Sequence, residues 1–151
     1  MGNRAVITTA PFPFDNVGIY VHWNGGQESI EGFLAACKEL GYRDPTQDAS
    51  YGLARLVHAI GLFFDAGDDC SVGIGTCGQL DCDNGDNGVW LIGKDWTIVG
   101  HGSPRGDGTW EEYPVAEAGT VDPEKSAKIK ADILQLTNNA ARKHLVRRGL
   151  A

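Results

Sequence analysis

The spacing of apolar residues changes abruptly near residue 24, and this change most strongly limits what the chain can fold into. In residues 17–23, VGIYVHW, every second side chain is a large apolar one, which is typical of a half-buried strand. Asn24-Gly25-Gly26 interrupts that pattern. From residue 30 to residue 40 the apolar side chains then recur at every third or fourth position, as they do along a buried helix face. A strand that leads directly into a helix indicates a domain that mixes both kinds of element.

The rest of the chain repeats this alternation and predicts the element order β-β-α-α-β-β-β-α. Besides residues 17–23, strands are predicted at RAVITT (4–9), SVGIG (71–75), GVWLIG (88–93) and DWTIVG (95–100). The short links between most strands favour a mainly antiparallel sheet with the helices packed on one face, and thus an α+β fold. Residues 100–119 are rich in glycine and are expected to form a mobile surface loop. We interpret residues 1–151 as a single domain.

Two further helices follow from the same spacing rules. The second is predicted from its apolar stripe over residues 53–64, ending near Gly67. The third begins with Asp122-Pro123, a capping residue followed by proline at the first helical position. Its inward-facing residues are predicted to be Ile129, Ile133, Leu136 and Ala140.

Composition limits the partners of the chain. The formal net charge of −7 opposes direct binding to nucleic acid or to an anionic lipid surface. The sequence contains no apolar run near the ~20 residues of a membrane-spanning helix, and its first residues lack the apolar core of a signal peptide. We therefore expect a cytoplasmic protein. The negative charge either keeps the protein soluble or forms an acidic face for a basic protein surface.

The segment from His22 to Ser29 is the first candidate ligand site. A strand that passes through two glycines into a helix can direct free backbone N–H groups toward an anion such as phosphate, and an aromatic strand end can stack on a base. The candidate ligand-binding residues are His22, Trp23, Asn24, Gly25, Gly26, Gln27 and Ser29, together with Arg55 and His58 on the second helix. The alternative is a tight strand-to-helix turn with Trp23 in the core.

Two other clusters carry weaker signals for a metal. Asp81, Asp83 and Asp86 offer oxygen ligands for Ca²⁺ or Mg²⁺, but their spacing departs from a calcium-binding loop, and the Asn-Gly pairs beside them favour a turn. Cys70, Cys77 and Cys82 with His101 offer four zinc ligands, but only Cys77 and Cys82 approach the spacing of a zinc knuckle. We therefore expect reduced cysteines, no metal and no cofactor.

No recognised catalytic signature is present in the sequence. A small hydrolase that uses His22 or His58 as a base remains an alternative, but we assign no catalytic residue. His58 lies off the apolar stripe of its helix, and a polar helix face explains it equally well.

Four segments resemble a family of small proteins of phages, prophages and other mobile elements of bacteria. They are GNRAVIT (2–8), IYVHWNGGQESIEGFL (19–34), DNGDNGVWLI (83–92) and VDPEKSAKI (121–129), and HWNGG is the most specific part. The resemblance implies a context rather than an activity, since small accessory proteins of phages are often non-enzymatic antagonists of host defence. The first hypothesis is therefore a counter-defence protein in the bacterial host cell that binds a nucleotide-like or phosphate-bearing signal molecule. This hypothesis is compatible with a homo-oligomer. The second is an acidic, anti-CRISPR-like inhibitor that binds a host defence protein.

Overall fold

The computed structural model describes residues 2–64 and 71–149. The strands are β1 (Ala5–Thr9), β2 (Val17–Val21), β3 (Val72–Thr76), β4 (Val89–Ile92), β5 (Ile98–Pro104) and β6 (Trp110–Glu112). The helices are α1 (Gln27–Glu39), α2 (Ala49–Phe63) and α3 (Pro123–Arg147), and a 3₁₀ turn covers Lys94–Trp96. No helix among the described residues is long and apolar enough to cross a membrane.

The strands form one mixed sheet in the order β3-β2-β1-β4-β5-β6. Strands β1 and β4 pair in parallel, and the other neighbouring pairs are antiparallel. The prediction of an α+β fold with a mainly antiparallel sheet is therefore confirmed. The parallel pair arises because β1 and β3 both run antiparallel to β2, and residues 77–88 carry the chain from the end of β3 back to the start of β4, which therefore runs in the direction of β1.

The three helices pack on one face of this sheet, as predicted. Strand residues of alternating position, such as Ile7, Ile19 and Ile92, lie in the core with Phe33 of α1 and Ile133 of α3, and all five are fully buried. Successive side chains of a strand point to opposite faces of the sheet, so every second one faces the helices. The two-residue spacing of apolar residues therefore determines which strand residues enter this core.

Local capping explains where the helices begin and end. The Asp48 side chain accepts a hydrogen bond from the backbone N–H of Tyr51 at the start of α2. The Asp122 side chain does the same for Lys125, with Pro123 at the first position of α3, so that helix start is confirmed. Such caps satisfy backbone donors that have no partner within the helix.

Among the described residues the opposite face of the sheet, which we call the helix-free face, carries no helix, and the loop between β3 and β4 covers it. Its small apolar cluster consists of Val6, Cys77, Cys82 and Val89, with Leu80 packed against it. Asn84 holds this loop, since its side chain donates to two backbone carbonyls and accepts from two backbone N–H groups. The turn predicted around the Asn-Gly pairs is therefore present.

Four predicted details differ from the structure. The strand predicted over residues 95–100 begins only at Ile98, because Lys94–Trp96 form the 3₁₀ turn. Residues 100–119 are not irregular throughout, because β5 continues to Pro104 and β6 adds a sixth strand at the sheet edge, where backbone pairing compensates for weak local propensity. Helix α2 ends at Phe63, and Gly67 lies outside the described residues. Ala140 does not face inward as predicted, since residues 138–149 at the far end of α3 are all exposed.

Candidate functional site

The turn between β2 and α1 is tied to the sheet through Gly25. Asn24 adopts a left-handed conformation, with φ of 60°. The backbone N–H of Gly25 donates to the carbonyl oxygen of Asn3 at 2.8 Å, and the Gly25 carbonyl accepts from Nε1 of Trp90 at 2.8 Å. A Cβ atom at Gly25 would lie 2.5 Å from the Asn3 carbonyl oxygen and 2.8 Å from Cβ of Ala5. The glycine therefore permits close approach to β1 rather than to a ligand.

The polar side chains at the start of α1 are also engaged within the protein. The Glu28 carboxylate lies beside Gly26, where an added Cβ would be 2.8 Å from Oε2, and it pairs with Lys125 at 3.2 Å. Gln27 exchanges two hydrogen bonds with the backbone of Ala116. Ser29, which is fully buried, donates to Oδ1 of Asn24 at 3.2 Å. The negative charge of Glu28 at this helix start opposes a bound phosphate.

His22 and Trp23 lie next to this turn but point away from the helix-side core. Nδ1 of His22 lies 2.9 Å from the Tyr20 hydroxyl, and its ring meets the Trp23 ring edge to face. Trp23 is 42% exposed. The alternative interpretation, which placed Trp23 in the core, is therefore wrong in that detail, although the tight turn that it assumed is present.

Arg55 and His58 lie apart from the turn. The Arg55 guanidinium stacks over the Tyr51 ring at 4.6 Å and faces Tyr42 at 5.5 Å. Tyr42 follows the far end of α1, a helix of 13 residues and thus ~20 Å long. His58 is exposed on α2 one turn further along. The structure therefore does not bring these two residues together with His22.

Arg4 is the arginine that lies closest to the turn. Its backbone packs against Gly25. Its side chain, however, binds Asp86 at 2.7 Å and Asp81 at 3.3 Å. The hydrogen bond to Asp86 raises the pKa of Arg4, and the same bond lowers the pKa of Asp86. This cation is therefore already paired.

A groove of about 360 Å³ beside α1 is the better concave site, and we call it the α1 groove. It lies between α1, the 3₁₀ turn and residues 115–119. Its floor is apolar and includes Leu34, Ala35, Trp96, Ile98 and Val115. Of the candidate residues named from the sequence, only Gln27 lines it. An apolar floor with a few polar groups at the rim is typical of small-molecule sites.

Hydrogen bonds hold each wall of the α1 groove in place. Nε1 of Trp96 donates to the carbonyl oxygen of Tyr42 at 2.9 Å, which fixes the indole against the end of α1. The Gln27 amide holds Ala116, and Oε2 of Glu31 accepts from the Gly119 N–H at 3.2 Å. These walls come from three distant parts of the sequence. The only local signal was the buried stripe of α1, and sequence reasoning did not find the groove.

The charges at the rim of the groove are few and mixed. Glu31, Lys38 and Asp95 line it. Within the described part of the chain Lys38 is exposed and has no carboxylate within ion-pair distance. An amine in this state is available to an anionic group at the open end of the groove.

The acidic and cysteine clusters do not assemble a metal site among the described residues. Asp81 and Asp86 pair with Arg4, and Asp83 pairs with Arg105 at 3.1 Å. Cys70 lies outside the described residues.

His101 is placed away from the thiols. Its ring stacks on Trp90 with a centroid distance of 3.5 Å, and its nitrogens face the backbone carbonyls of Asn87 and Pro114. The hydrogen bonds of His22 and His101 thus go to a phenol and to carbonyls, an arrangement that does not activate a serine or cysteine nucleophile.

Comparisons of the chain with protein-family models, with curated proteins and with solved structures found no match. Evidence for a function therefore comes from the geometry and chemistry of this chain.

Proposed function

We propose that this chain is a non-enzymatic binding protein that takes a small nucleotide-like ligand in the α1 groove. The observation that carries the proposal is an apolar floor with Lys38 at its rim, which is exposed and forms no ion pair among the described residues. The resemblance to phage and mobile-element proteins supports an accessory, counter-defence role in a bacterial cell. The ligand is then a signal molecule that the protein withdraws from the host.

The size and lining of the groove suit a flat apolar group. Its volume of about 360 Å³ falls within the ~300–1,000 Å³ range of small-molecule sites. Trp96 and Ile98 come from the 3₁₀ turn and β5, while Leu34 comes from α1, and together they contribute to the apolar floor. A nucleobase that lies on this floor loses water from the face that it buries and gains dispersion contacts.

The anionic part of the ligand belongs at Lys38 rather than at Gly25-Gly26. At the glycine turn a phosphate meets the Glu28 carboxylate and finds the Gly25 N–H already bonded. At Lys38 it meets an exposed amine. This proposal therefore keeps the nucleotide-like ligand and moves its site along α1.

The test is calorimetry with nucleosides and with mono-, di- and cyclic nucleotides. Ala35→Leu adds bulk to the floor of the groove at a half-buried helix position, and we expect it to weaken binding at least tenfold, or about 1.4 kcal/mol. Ala54→Leu is the matched control, since it makes the same change at an exposed position of α2. Absence of binding heat with every ligand, or an equal loss of affinity in both variants, contradicts the proposal.

Lys38→Gln separates the two parts of the ligand. It removes the charge but keeps a long polar side chain. We expect it to weaken the binding of nucleotides and to leave the affinity for nucleosides unchanged. Equal affinity of nucleosides and nucleotides for the wild type would mean that the groove takes an apolar ligand without a phosphate.

A second candidate function is favoured by the arginine bridges on the helix-free side. Arg105 contacts both Asp83 and Glu111, while Arg4 contacts Asp81 and Asp86. The bridges draw these carboxylates into one face, which suits the acidic inhibitor of a basic protein surface. The two guanidinium groups offset part of its charge, which is why we rank this function second.

The acidic face is tested by its dependence on salt. Capture of a host defence protein through this face should weaken steeply as ionic strength rises. Replacing Asp81, Asp83 and Asp86 by lysine should abolish it. Glu124→Lys, at an exposed position of α3, should not. Capture that resists salt, or that survives the triple replacement, would exclude this function.

A further inference from the structure

Two cysteine thiols lie side by side under the loop on the helix-free face. Cys77 and Cys82 are 1% and 4% exposed, respectively, in the small cluster with Val6 and Val89. The Cys82 thiol donates a hydrogen bond to the Cys77 carbonyl oxygen at 3.3 Å. The two thiols are also near enough to interact directly. Both are free thiols in the structure.

Their environments differ in a way that suits one thiol for attack and the other for resolution. The neighbouring Cys82 thiol lowers the pKa of Cys77 to about 7, although burial opposes this. The neighbouring Cys77 and burial raise the pKa of Cys82. Cys77 is therefore the thiol of this pair that loses its proton more readily, and the thiolate is the form that attacks a disulfide. Cys37 makes the contrast clear, since burial raises its pKa to about 12.

We propose that Cys77 and Cys82 are a redox modification site that forms a reversible disulfide on reaction with a low-molecular-weight disulfide. Its geometric basis is that the two thiols are adjacent and share one small cluster. The turn between them provides access, because Gly78 and Gln79 are exposed and local opening of such a turn uncovers the sulfur atoms.

The exchange proceeds in two steps. The Cys77 thiolate attacks one sulfur of the small disulfide, forming a mixed disulfide and releasing one small thiolate. The Cys82 thiol then loses its proton and attacks the Cys77 sulfur, forming the Cys77–Cys82 bond and releasing the second small thiolate. The protein loses two electrons and two protons, and the small disulfide is reduced to two thiols.

The expected consequence is a more stable loop over the helix-free face. The new bond closes a short ring over residues 77–82, which carries Asp81 and leads into the loop held by Asn84. A ring of this size restricts the unfolded chain, and we expect the melting temperature to rise by about 5 °C on oxidation.

The experiment incubates the full chain with oxidised glutathione, blocks free thiols with an alkylating agent and maps the cysteines by mass spectrometry. A Cys70→Ser background removes the cysteine outside the described residues. Proteolysis before Asp81 separates Cys77 from Cys82 unless a disulfide joins them. We expect joined fragments that separate after reduction, with Cys37 still alkylated after denaturation. Full alkylation of Cys77 and Cys82 under oxidising conditions would overturn the proposal.

Cys82→Ser tests the order of the two steps. Without the resolving thiol, Cys77 should accumulate one glutathionyl group, whereas Cys77→Ser should leave Cys82 unmodified. Circular dichroism checks that both variants fold. If either is unfolded, the wild-type map still decides the outcome. Equal glutathionylation of both single variants would overturn the assigned order, and modification of neither would overturn the site.

Discussion

The backbone N–H of Asp95 donates a hydrogen bond to Oδ2 of Asp44 at 2.8 Å and thereby joins two loops that surround the end of α1. Asp44 is only 4% exposed. Its other oxygen accepts from the backbone and hydroxyl of Thr46 and from the Gln47 N–H. One buried carboxylate therefore positions the 3₁₀ turn that supplies Trp96 to the α1 groove.

Replacing this carboxylate should destabilise the protein. We expect Asp44→Asn to lower the free energy of unfolding by about 1–3 kcal/mol, because an amide NH₂ must then face backbone donors. Asp95→Asn is the matched control, since its side chain is exposed and its N–H is retained. Its effect should stay within about 0.5 kcal/mol. Urea denaturation measures both, and equal effects would contradict this role of Asp44.

The same group should make stability depend on acidity. Burial alone would raise the pKa of Asp44, but the hydrogen bonds from Thr46, Asp95 and Gln47 together lower it. Since the folded-state pKa lies below the unfolded value of about 3.9, the contribution is present above about pH 4 and is lost as pH falls through the folded-state pKa. The difference in melting temperature between wild type and Asp44→Asn should therefore shrink below about pH 4. A difference that stays constant from pH 7 to pH 2 would argue against it.

Gly25 should be intolerant of a side chain for a structural reason. A Cβ there meets the Asn3 carbonyl oxygen and Ala5, so Gly25→Ala should cost about 1–3 kcal/mol of stability. Gly61→Ala on α2, where a Cβ meets nothing within 4 Å, should instead stabilise the protein by about 0.4–1 kcal/mol. Denaturation midpoints in urea compare the two. If Gly25→Ala left the stability unchanged, β1 would have to shift more easily than the packing indicates.

The far end of α3 should contribute little to stability. Residues 138–149 are all exposed, so deletion of residues 138–151 should change the free energy of unfolding by less than about 0.5 kcal/mol. Ile133→Ala, at a fully buried position of the same helix, should cost about 2–5 kcal/mol. Thermal melts of both variants make the comparison, and a loss on deletion as large as that of Ile133→Ala would contradict this prediction.

The fold was predictable wherever a local signal decided it. Alternation in residues 17–23 identified β2, and Asp122-Pro123 identified the start of α3, because periodicity and capping act over a few residues. Strand β6 was not predictable, since Trp110–Glu112 becomes a strand only by pairing with β5.

The candidate site depended far more on distant contacts. The sequence by itself determined that a strand passes through two glycines into α1, and that Gln27 stands at the start of that helix. Only the tertiary structure decided that Gly25 faces Asn3, that Trp23 is exposed and that a groove lies beside α1. The physical reason is that the groove is the space left between three segments far apart in sequence, and the packing and hydrogen bonds that set that space have no local pattern.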